Sequence, residues 1–375
     1  MNEINIAALV SYRIYPPKMG GQKGIALFYE YLSQLTPISM ITIKANAEGE
    51  IPQQIRLYPL LSNSRFRYIN PFLYFKVKSF IKKNKISHLV FEHPYYSWMI
   101  LLLKWFSSVK IIIHSHNIEA CRFKSTGKWW WGILWHYERI AHRRAHLNFF
   151  IQENDMQYGI ERFKLDPAKC TVITYGSDKK FAPTQSVKQA AASKLRSQHN
   201  IPGDSKILLF NGTLDYKPNQ DALDLILEKI NPIFLEKRFN YRIIICGNKL
   251  PASYQNLSAY SNKNVIYAGF VDDIDLYFKG ADIFINPVSD GGGIKTKVVE
   301  ALASDLAVVS FQNGAIGIPT GVAGDKLKIA ANDDLETFCD QVISVKSGTT
   351  IPQSFFDHFY WGNIASKALS RINQC

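Results

Sequence analysis

Along this chain, short runs of aliphatic and β-branched residues alternate with stretches whose apolar positions recur every three to four residues, the periods of buried strands and of one-sided helices. Runs of the first kind at Ile4 to Val10, Ile38 to Ile43, His88 to Glu92, Lys110 to His114 and Leu147 to Ile151 predict strands in the first half, with helices between them. Around Asp178 to Ser186, DKKFAPTQS, polar residues and Pro183 interrupt the pattern. It restarts with Lys206 to Phe210, Tyr241 to Cys246, Val265 to Tyr267, Asp282 to Asn286 and Ala307 to Ser310. Strands alternating with helices predict an α/β fold of two Rossmann-like, doubly wound domains, residues 1–180 and 181–350. A C-terminal helix within 351–375 is expected to return to the first domain. Ligands of open parallel sheets bind beyond the carboxyl ends of the strands, so two such domains are expected to face a central cleft and to carry their chemistry in strand-end loops.

Composition narrows the picture. A chain of 375 residues, 47% hydrophobic and 20% charged, has enough apolar material for two cores. Its five cysteines are scattered without a C-x-x-C pair, which fits a reducing cytoplasm. The longest apolar run, Trp98 to Leu103, is cut by Lys104 and is too short to span a bilayer. The net charge of +13 is local: residues 61–150 hold fifteen Lys or Arg against Glu92, Glu119 and Glu138, a balance of +12, with six of the seven tryptophans. Such a patch attracts nucleic acid or anionic lipid. Clustered aromatics among the cations, in Arg65 to Lys85 and Gly127 to His146, favour lipid, and no nucleic-acid-binding motif accompanies the charge. Arg65, Arg67, Lys82, Lys83, Trp129, Trp130 and Trp131 are the candidate membrane or acceptor contacts, core aromatics with a solvated charged face being the alternative. Three successive tryptophans do not all face one core.

Four strand ends carry candidate chemistry. In YPPKMGGQKG, Gly20 and Gly21 precede a helix expected near Lys23, without the G-x-G-x-x-G spacing of a dinucleotide site. His114 to Glu119, HSHNIE, places imidazole, amide and carboxylate at a loop start. No third metal ligand stands at a convincing spacing, so His116 and Glu119 read as positioning or catalytic polar groups, Glu119 equally as a helix N-terminal residue. In LLFNGTLDYKPN, Gly212 lies directly beyond a strand, with Asn219 and Asp221 opening the next helix, an arrangement that turn and capping chemistry also explains. The fourth, DGGGIKTKVVEAL, runs Gly291, Gly292 and Gly293 into a helix bearing Lys295, Lys297 and Glu300. A helix start offers unpaired N–H groups and a partial positive charge, and glycines let a diphosphate approach them. Lys297 and Glu300, three apart, share a helix face and offer a cation to phosphate and a carboxylate to ribose hydroxyls. An ordinary flexible loop before an amphipathic helix remains the alternative.

Taken together, PPKMGGQKGIALFYEYLS, HSHNIEACRF, NGTLDYKPNQDAL, IIICGN, VIYAGFVDDIDLYFKGADIFINPV, GGGIKTKVVEALASDLAVVS and NGAIGIP resemble the retaining glycosyltransferases of family 4, with their two-domain GT-B fold. The resemblance spans most of the chain and is most specific in the second half. It implies a nucleotide-diphosphate-sugar donor on the C-terminal half and a lipid-linked or glycan acceptor over the N-terminal half. Glu300 then matches the carboxylate on the nucleotide ribose, Gly293 and its neighbours the backbone at the diphosphate, Gly20 and Gly21 the N-terminal glycine loop, and His116 the histidine beside the transferred sugar. Asp272 and Asp273 match a turn read as structural.

Three positions depart from the family. Gly292 stands where many relatives carry a glutamate, and Thr213 and Asn219 stand where many place an arginine and a lysine; Lys295, Lys297 and Lys217 are the candidate substitutes. The resemblance implies retention, and with cations and helix N–H groups on the leaving diphosphate neither a metal nor another cofactor is expected. The resulting expectation is an enzyme of polysaccharide or glycolipid assembly, cytoplasmic and peripheral on the inner face of the plasma membrane. A non-hydrolysing sugar-nucleotide epimerase and a non-catalytic, membrane-associated sugar-nucleotide binder are the competing readings.

Overall fold

The computed structural model of the chain describes residues 4–17, 20–46, 51–346 and 348–375. Two units divide it: Met1–Asp178 with Phe359–Cys375, and Lys179–His358. The first hand-over falls two residues before the expected boundary at 180. The expected final segment is split, since residues 351 to 358 stay with the second unit and only Phe359–Cys375 joins the first.

In the first unit, β1 (Ile6–Val10), β2 (Ile38–Ile43), β3 (Ile55–Leu61), β4 (His88–Glu92), β5 (Lys110–Ser115), β6 (Leu147–Phe150) and β7 (Cys170–Val172) form one sheet in the order β3-β2-β1-β4-β5-β6-β7. Every pairing is parallel. Central strands such as β1, IAALV, are buried at every position, as a sheet covered on both faces requires. The helices α1 (Gly20–Ser33), α2 (Phe72–Lys83), α3 (Ser97–Phe106), α4 (Glu119–Ser125) and α5 (Trp131–Arg144) connect the strands. Val77 of α2, Ile100 of α3 and Ala141 of α5 pack with Leu9, Ile41, Phe91 and Ile113 in one core. Gly20 and Gly21 form the first turn of α1 rather than a loop before it, and Lys18 and Met19 of that motif lie outside the described residues. The Trp361–Asn373 helix belongs to this unit: Trp361 is buried with its ring 6.4 Å from Phe28 and 5.4 Å from Tyr175.

The second unit holds β8 (Lys206–Asn211), β9 (Tyr241–Cys246), β10 (Val265–Gly269), β11 (Ile283–Asn286), β12 (Ala307–Phe311) and β13 (Leu327–Ala330) in the order β10-β9-β8-β11-β12-β13, again parallel. Phe210, Ile243 and Ile285 meet Ile226, Phe234 and Phe338 in its core. The strands absent from the sequence-based expectation, β3, β7 and β13, all lie at sheet edges, where one ladder is missing and a continuous apolar run is not needed. β3 even carries Pro59, which an edge tolerates.

Candidate functional site

In the second unit the strand ends of β8 and β11 place two glycine motifs together. Beyond β11, Gly291 and Gly293 take φ of +88° and +76°, backbone that glycine adopts without strain. The carbonyls of Gly291, Gly292 and Gly293 turn onto the Lys295 ammonium, at 2.6, 3.3 and 3.1 Å. Asn313 adds a bond to the Gly291 carbonyl at 3.1 Å. Among the described residues the N–H groups of Gly292 and Gly293 have no hydrogen-bond partner, and a Cβ on Gly292 would meet nothing within 4 Å. The loop thus ties its acceptors inward and leaves donors available just ahead of the Thr296–Ala303 helix.

Lys297 links this loop to the Gly212 motif. Its Nζ donates to the Asn211 carbonyl at 3.2 Å and to Asn219 Oδ1 at 3.0 Å, above the Phe210 ring at 4.6 Å. The Asn219 amide also donates to the Thr213 carbonyl at 3.0 Å, and it sits where a side chain at position 212 would be: a Cβ there would come within 2.6 Å of Asn219 Nδ2. Gly212 is therefore required by packing against Asn219. Burial lowers the Lys295 ammonium to about 8, with Asp290 opposing. Burial, then the neighbouring Lys295 charge, lowers Lys297 to about 7. These are two under-solvated cations beside open backbone donors, an arrangement that favours an incoming anion.

Glu300 follows on the same helix, whose buried face is Val298, Val299, Ala301, Leu302 and Ala303; Lys297 and Glu300 are both only partly buried. Lys217 lies apart from this group, with an exposed side chain paired to Asp221 one turn on. Asp273 caps its helix, accepting from Leu276 N at 3.1 Å, which is the structural role expected of that turn.

The first unit holds a separate cluster at the carboxyl ends of β4 and β5. Glu92, fully enclosed, accepts from Tyr29 Oη at 2.5 Å, meets His114 Nδ1 at 3.1 Å and His116 Nε2 at 2.6 Å. Burial works to raise the Glu92 carboxyl, but His114 and His116 outweigh it and hold it well below the usual range. Burial in turn pushes His116 down to about 4, so at neutral pH it is uncharged. An ionised Glu92 only accepts, which places the His116 proton on Nε2 and leaves Nδ1 as a hydrogen-bond acceptor. Glu92 is the residue that sequence spacing failed to join to the histidines. It closes β4 one residue before His93, and with His114 and His116 it also forms a set whose ligand-type atoms all lie within 4.8 Å of one another.

Beside this cluster, His93 stacks on His116 with ring centroids 4.7 Å apart and approaches Glu119 at 3.3 Å. Arg122 holds the other side of Glu119 at 2.6 Å. Burial raises the Glu119 carboxyl, yet His93 and Arg122 bring it down to about 2. The main-chain N–H groups of Glu119 and Ala120, at the start of α4, donate to Glu138 of α5 at 3.0 Å each. Glu119 is thus both a helix N-terminal residue and a wall of a cavity of about 650 Å³, whose other faces include Tyr68, Tyr95, Phe123, Trp130 and Tyr137.

The tryptophan triplet separates. Trp129 is exposed, Trp130 lines the cavity against Phe123 at 4.6 Å, and Trp131 lies under the Lys124 ammonium at 4.6 Å. Arg65, Lys82 and Lys83 are exposed. Arg67 is not a free surface cation: its guanidinium bonds the carbonyls of Asn63 and Ser64 at 2.9 Å and stacks 4.6 Å over Tyr68.

Comparison with known proteins bears on these sites. Residues 39–181 match the family described as Glycosyltransferase Family 4, and residues 205–347 match Glycosyl transferases group 1. A protein in the cps region of Klebsiella pneumoniae, named only by its size of 44.6 kDa, is 28% identical over 134 residues, 34% of each chain. A glycosyltransferase from Rickettsia africae superposes with a TM-score of 0.73 at 17% identity, over 100% of this chain and 99% of that one. The HepE protein of Anabaena, solved in complex with UDP, superposes with a TM-score of 0.68 at 14% identity, over 99% of this chain and 100% of the other. With one such domain matched in each unit and the two-sheet architecture shared along the whole length, the chain belongs to the family 4, group 1 glycosyltransferases and is an enzyme of the GT-B fold.

Proposed function

We propose that this glycosyltransferase takes a sugar from a nucleotide-diphosphate-sugar and places it, with retention, on a lipid-linked or glycan acceptor in cell-surface polysaccharide or glycolipid assembly. The observation that carries the donor assignment is the convergence of the Gly291–Gly293 loop, Lys295 and Lys297 with the Gly212 motif in the second unit. Open N–H groups and two poorly solvated ammonium groups meet the needs of a leaving diphosphate. UDP in a structural relative and the cps-region setting of a sequence relative support the donor class and the pathway class.

As the diphosphate leaves, negative charge grows on its oxygens and the sugar ring becomes oxocarbenium-like. Lys297 and the Gly292 and Gly293 amides stabilise the first, and Glu300 positions the ribose. The acceptor hydroxyl attacks from the face the diphosphate vacates, and a phosphate oxygen takes its proton, so no protein carboxylate serves as nucleophile. His116 Nδ1, oriented through Nε2 by Glu92, accepts a hydrogen bond from a substrate hydroxyl. Neither a metal nor another cofactor takes part in this scheme, and EDTA is expected to leave transfer unchanged. Among the described residues no helix is long and apolar enough to cross a membrane. Association with the cytoplasmic face of the membrane is assigned to the basic, aromatic stretch of residues 61–150.

Thermal unfolding with UDP, GDP, ADP and dTDP tests the donor site. One nucleotide at a hundred times its dissociation constant should stabilise the protein by about 2.7 kcal/mol, and Lys297→Met should remove most of that gain. Stabilisation by none of the four, or equal stabilisation of the variant, would overturn the assignment.

A further inference from the structure

The sheet of the first unit brings Glu92, His114 and His116 together. On the parallel strands β4 and β5, Glu92 and His114 are register partners, and His116 follows His114 by two, the spacing that returns a side chain to the same face. One carboxylate and two imidazoles thereby offer ligand-type atoms within 4.8 Å of one another, with the two rings 4.7 Å apart between centroids. Hydrogen bonding inside the cluster does not satisfy all of it. Glu92 Oε1 takes Tyr29 Oη at 2.5 Å and His114 Nδ1 at 3.1 Å, and Oε2 takes His116 Nε2 at 2.6 Å, but the buried His114 Nε2 has no hydrogen-bond partner among the described residues. The surroundings are apolar on one side, where the rings of Phe28 and Phe149 lie 5.0 and 6.3 Å from that of His114. On the other side His116, its side chain 16% exposed, stacks on His93, which lines the 650 Å³ cavity and leaves an approach from there.

Two imidazoles and a carboxylate are the donor set of zinc sites that keep one position open, and ring nitrogens disfavour the hard ions Mg²⁺ and Ca²⁺. Zinc at about 2.0 to 2.1 Å from each donor sets the donors about 3.3 Å apart. That spacing falls between the 2.6 Å of the closest pair and the 4.8 Å limit of the set. Tyr29 Oη already stands behind Glu92, as the outer group that orients a carboxylate ligand does. We propose that Glu92, His114 and His116 bind one Zn²⁺ per chain, with the fourth position left to water. The ion takes no part in the transfer scheme above. It replaces a hydrogen bond: His116 binds through Nε2, so its proton moves to Nδ1, and the nitrogen that accepts from a substrate hydroxyl becomes a donor. Zinc thus opposes transfer, a consequence that rests on the role given to His116 above, whereas the site itself does not.

The test strips the full chain with EDTA, dialyses it and titrates it with Zn²⁺ against a chromophoric chelator. One equivalent should bind at micromolar concentration or below. Glu92→Gln and His114→Gln should each weaken binding by about tenfold or more, and His146→Gln, which changes a histidine outside the cluster, should leave it as it was. Two measurements on the unaltered chain do not depend on any variant folding. Co²⁺ should give the intense visible bands of four-coordination, and NMR of the imidazole nitrogens should show the His116 proton pass from Nε2 to Nδ1 as zinc is added. Absence of stoichiometric binding, equal affinity in Glu92→Gln and His114→Gln, loss of binding in His146→Gln, the weak bands of six-coordinate cobalt, or a His116 proton that stays on Nε2 would overturn the site. Thermal stabilisation by nucleotide reports on the second unit, so its failure would count against the donor assignment and leave this result standing.

Discussion

At the scale of single residues, the proposed donor site rests on groups whose charge the fold has made costly. Lys297 loses most of its hydration between Phe210, Asn211 and Asn219, which lowers its ammonium to about 7, and Lys295 sits near 8. A bound diphosphate would restore their protons. Nucleotide affinity should therefore be greatest below pH 7 and weaken by up to about tenfold per pH unit as pH rises through 7 and 8, which calorimetry in buffers of different ionisation enthalpy would detect as proton uptake. For the unliganded protein the sign is opposite: a folded lysine pKa below the unfolded value of about 10.4 means that the unfolded state binds more protons above pH 7, so these lysines add stability as pH rises. His116 and His142, both lowered to about 4 by burial, act on the acid side. The unfolded chain takes up their protons first, so stability should fall as pH drops from about 6.5 to 4, by on the order of 3 kcal/mol for each. Urea titrations at several pH values should show a shallower fall in His142→Gln. Sequence made Lys295, Lys297 and the histidines candidates because they follow strands. It left Glu92 unassigned, because its link to His114 and His116 crosses between β4 and β5, over twenty residues of chain.

At the scale of elements, the strand-end loops are held in place by neighbouring elements. Glu138 reaches from α5 to the first two N–H groups of α4, and burial raises its carboxyl to about 8. Glu138→Ala should uncap α4, cost about 1 to 2 kcal/mol, and speed amide exchange at Glu119 and Ala120, where Glu119 meets Arg122 and the cavity. Gly212→Ala should act across elements in the second unit: its methyl group displaces the Asn219 amide, which releases Lys297 from Oδ1. Nucleotide binding should fall with little loss of helix content, read by calorimetry and circular dichroism. The central strands were legible because burial on both faces demands unbroken apolar runs. Edge strands β3 and β13 were not, since they bury less and tolerate polar residues and Pro59, and β7 was not because it is only three residues long. The start of α1 at Gly20 was also missed, glycine being a poor helix former that signals a loop when read alone.

At the scale of the whole molecule, the first unit is completed by the far end of the chain. Trp361 fills a site beside Phe28 and Tyr175, and a Cβ on Gly176 would come within 2.7 Å of its ring. Ser177 N bonds the Phe359 carbonyl at 2.6 Å, and Trp361 N returns to the Ser177 carbonyl at 2.9 Å. Trp361→Ala should destabilise the first unit by about 3 to 5 kcal/mol, seen as an earlier transition in tryptophan fluorescence, while stabilisation by nucleotide, proposed for the second unit, should persist. The sequence alone determined the two parallel α/β units and where their strands end, because strand burial and turn chemistry are written in local residue order. It also determined that the cations and tryptophans concentrate in residues 61–150. Only the tertiary structure decided that Glu92 joins the two histidines, that Lys297 rather than the exposed Lys217 meets the Gly212 motif, and which member of the tryptophan triplet faces solvent. Those outcomes depend on which strands are neighbours and which helix face is covered, and long-range packing sets both.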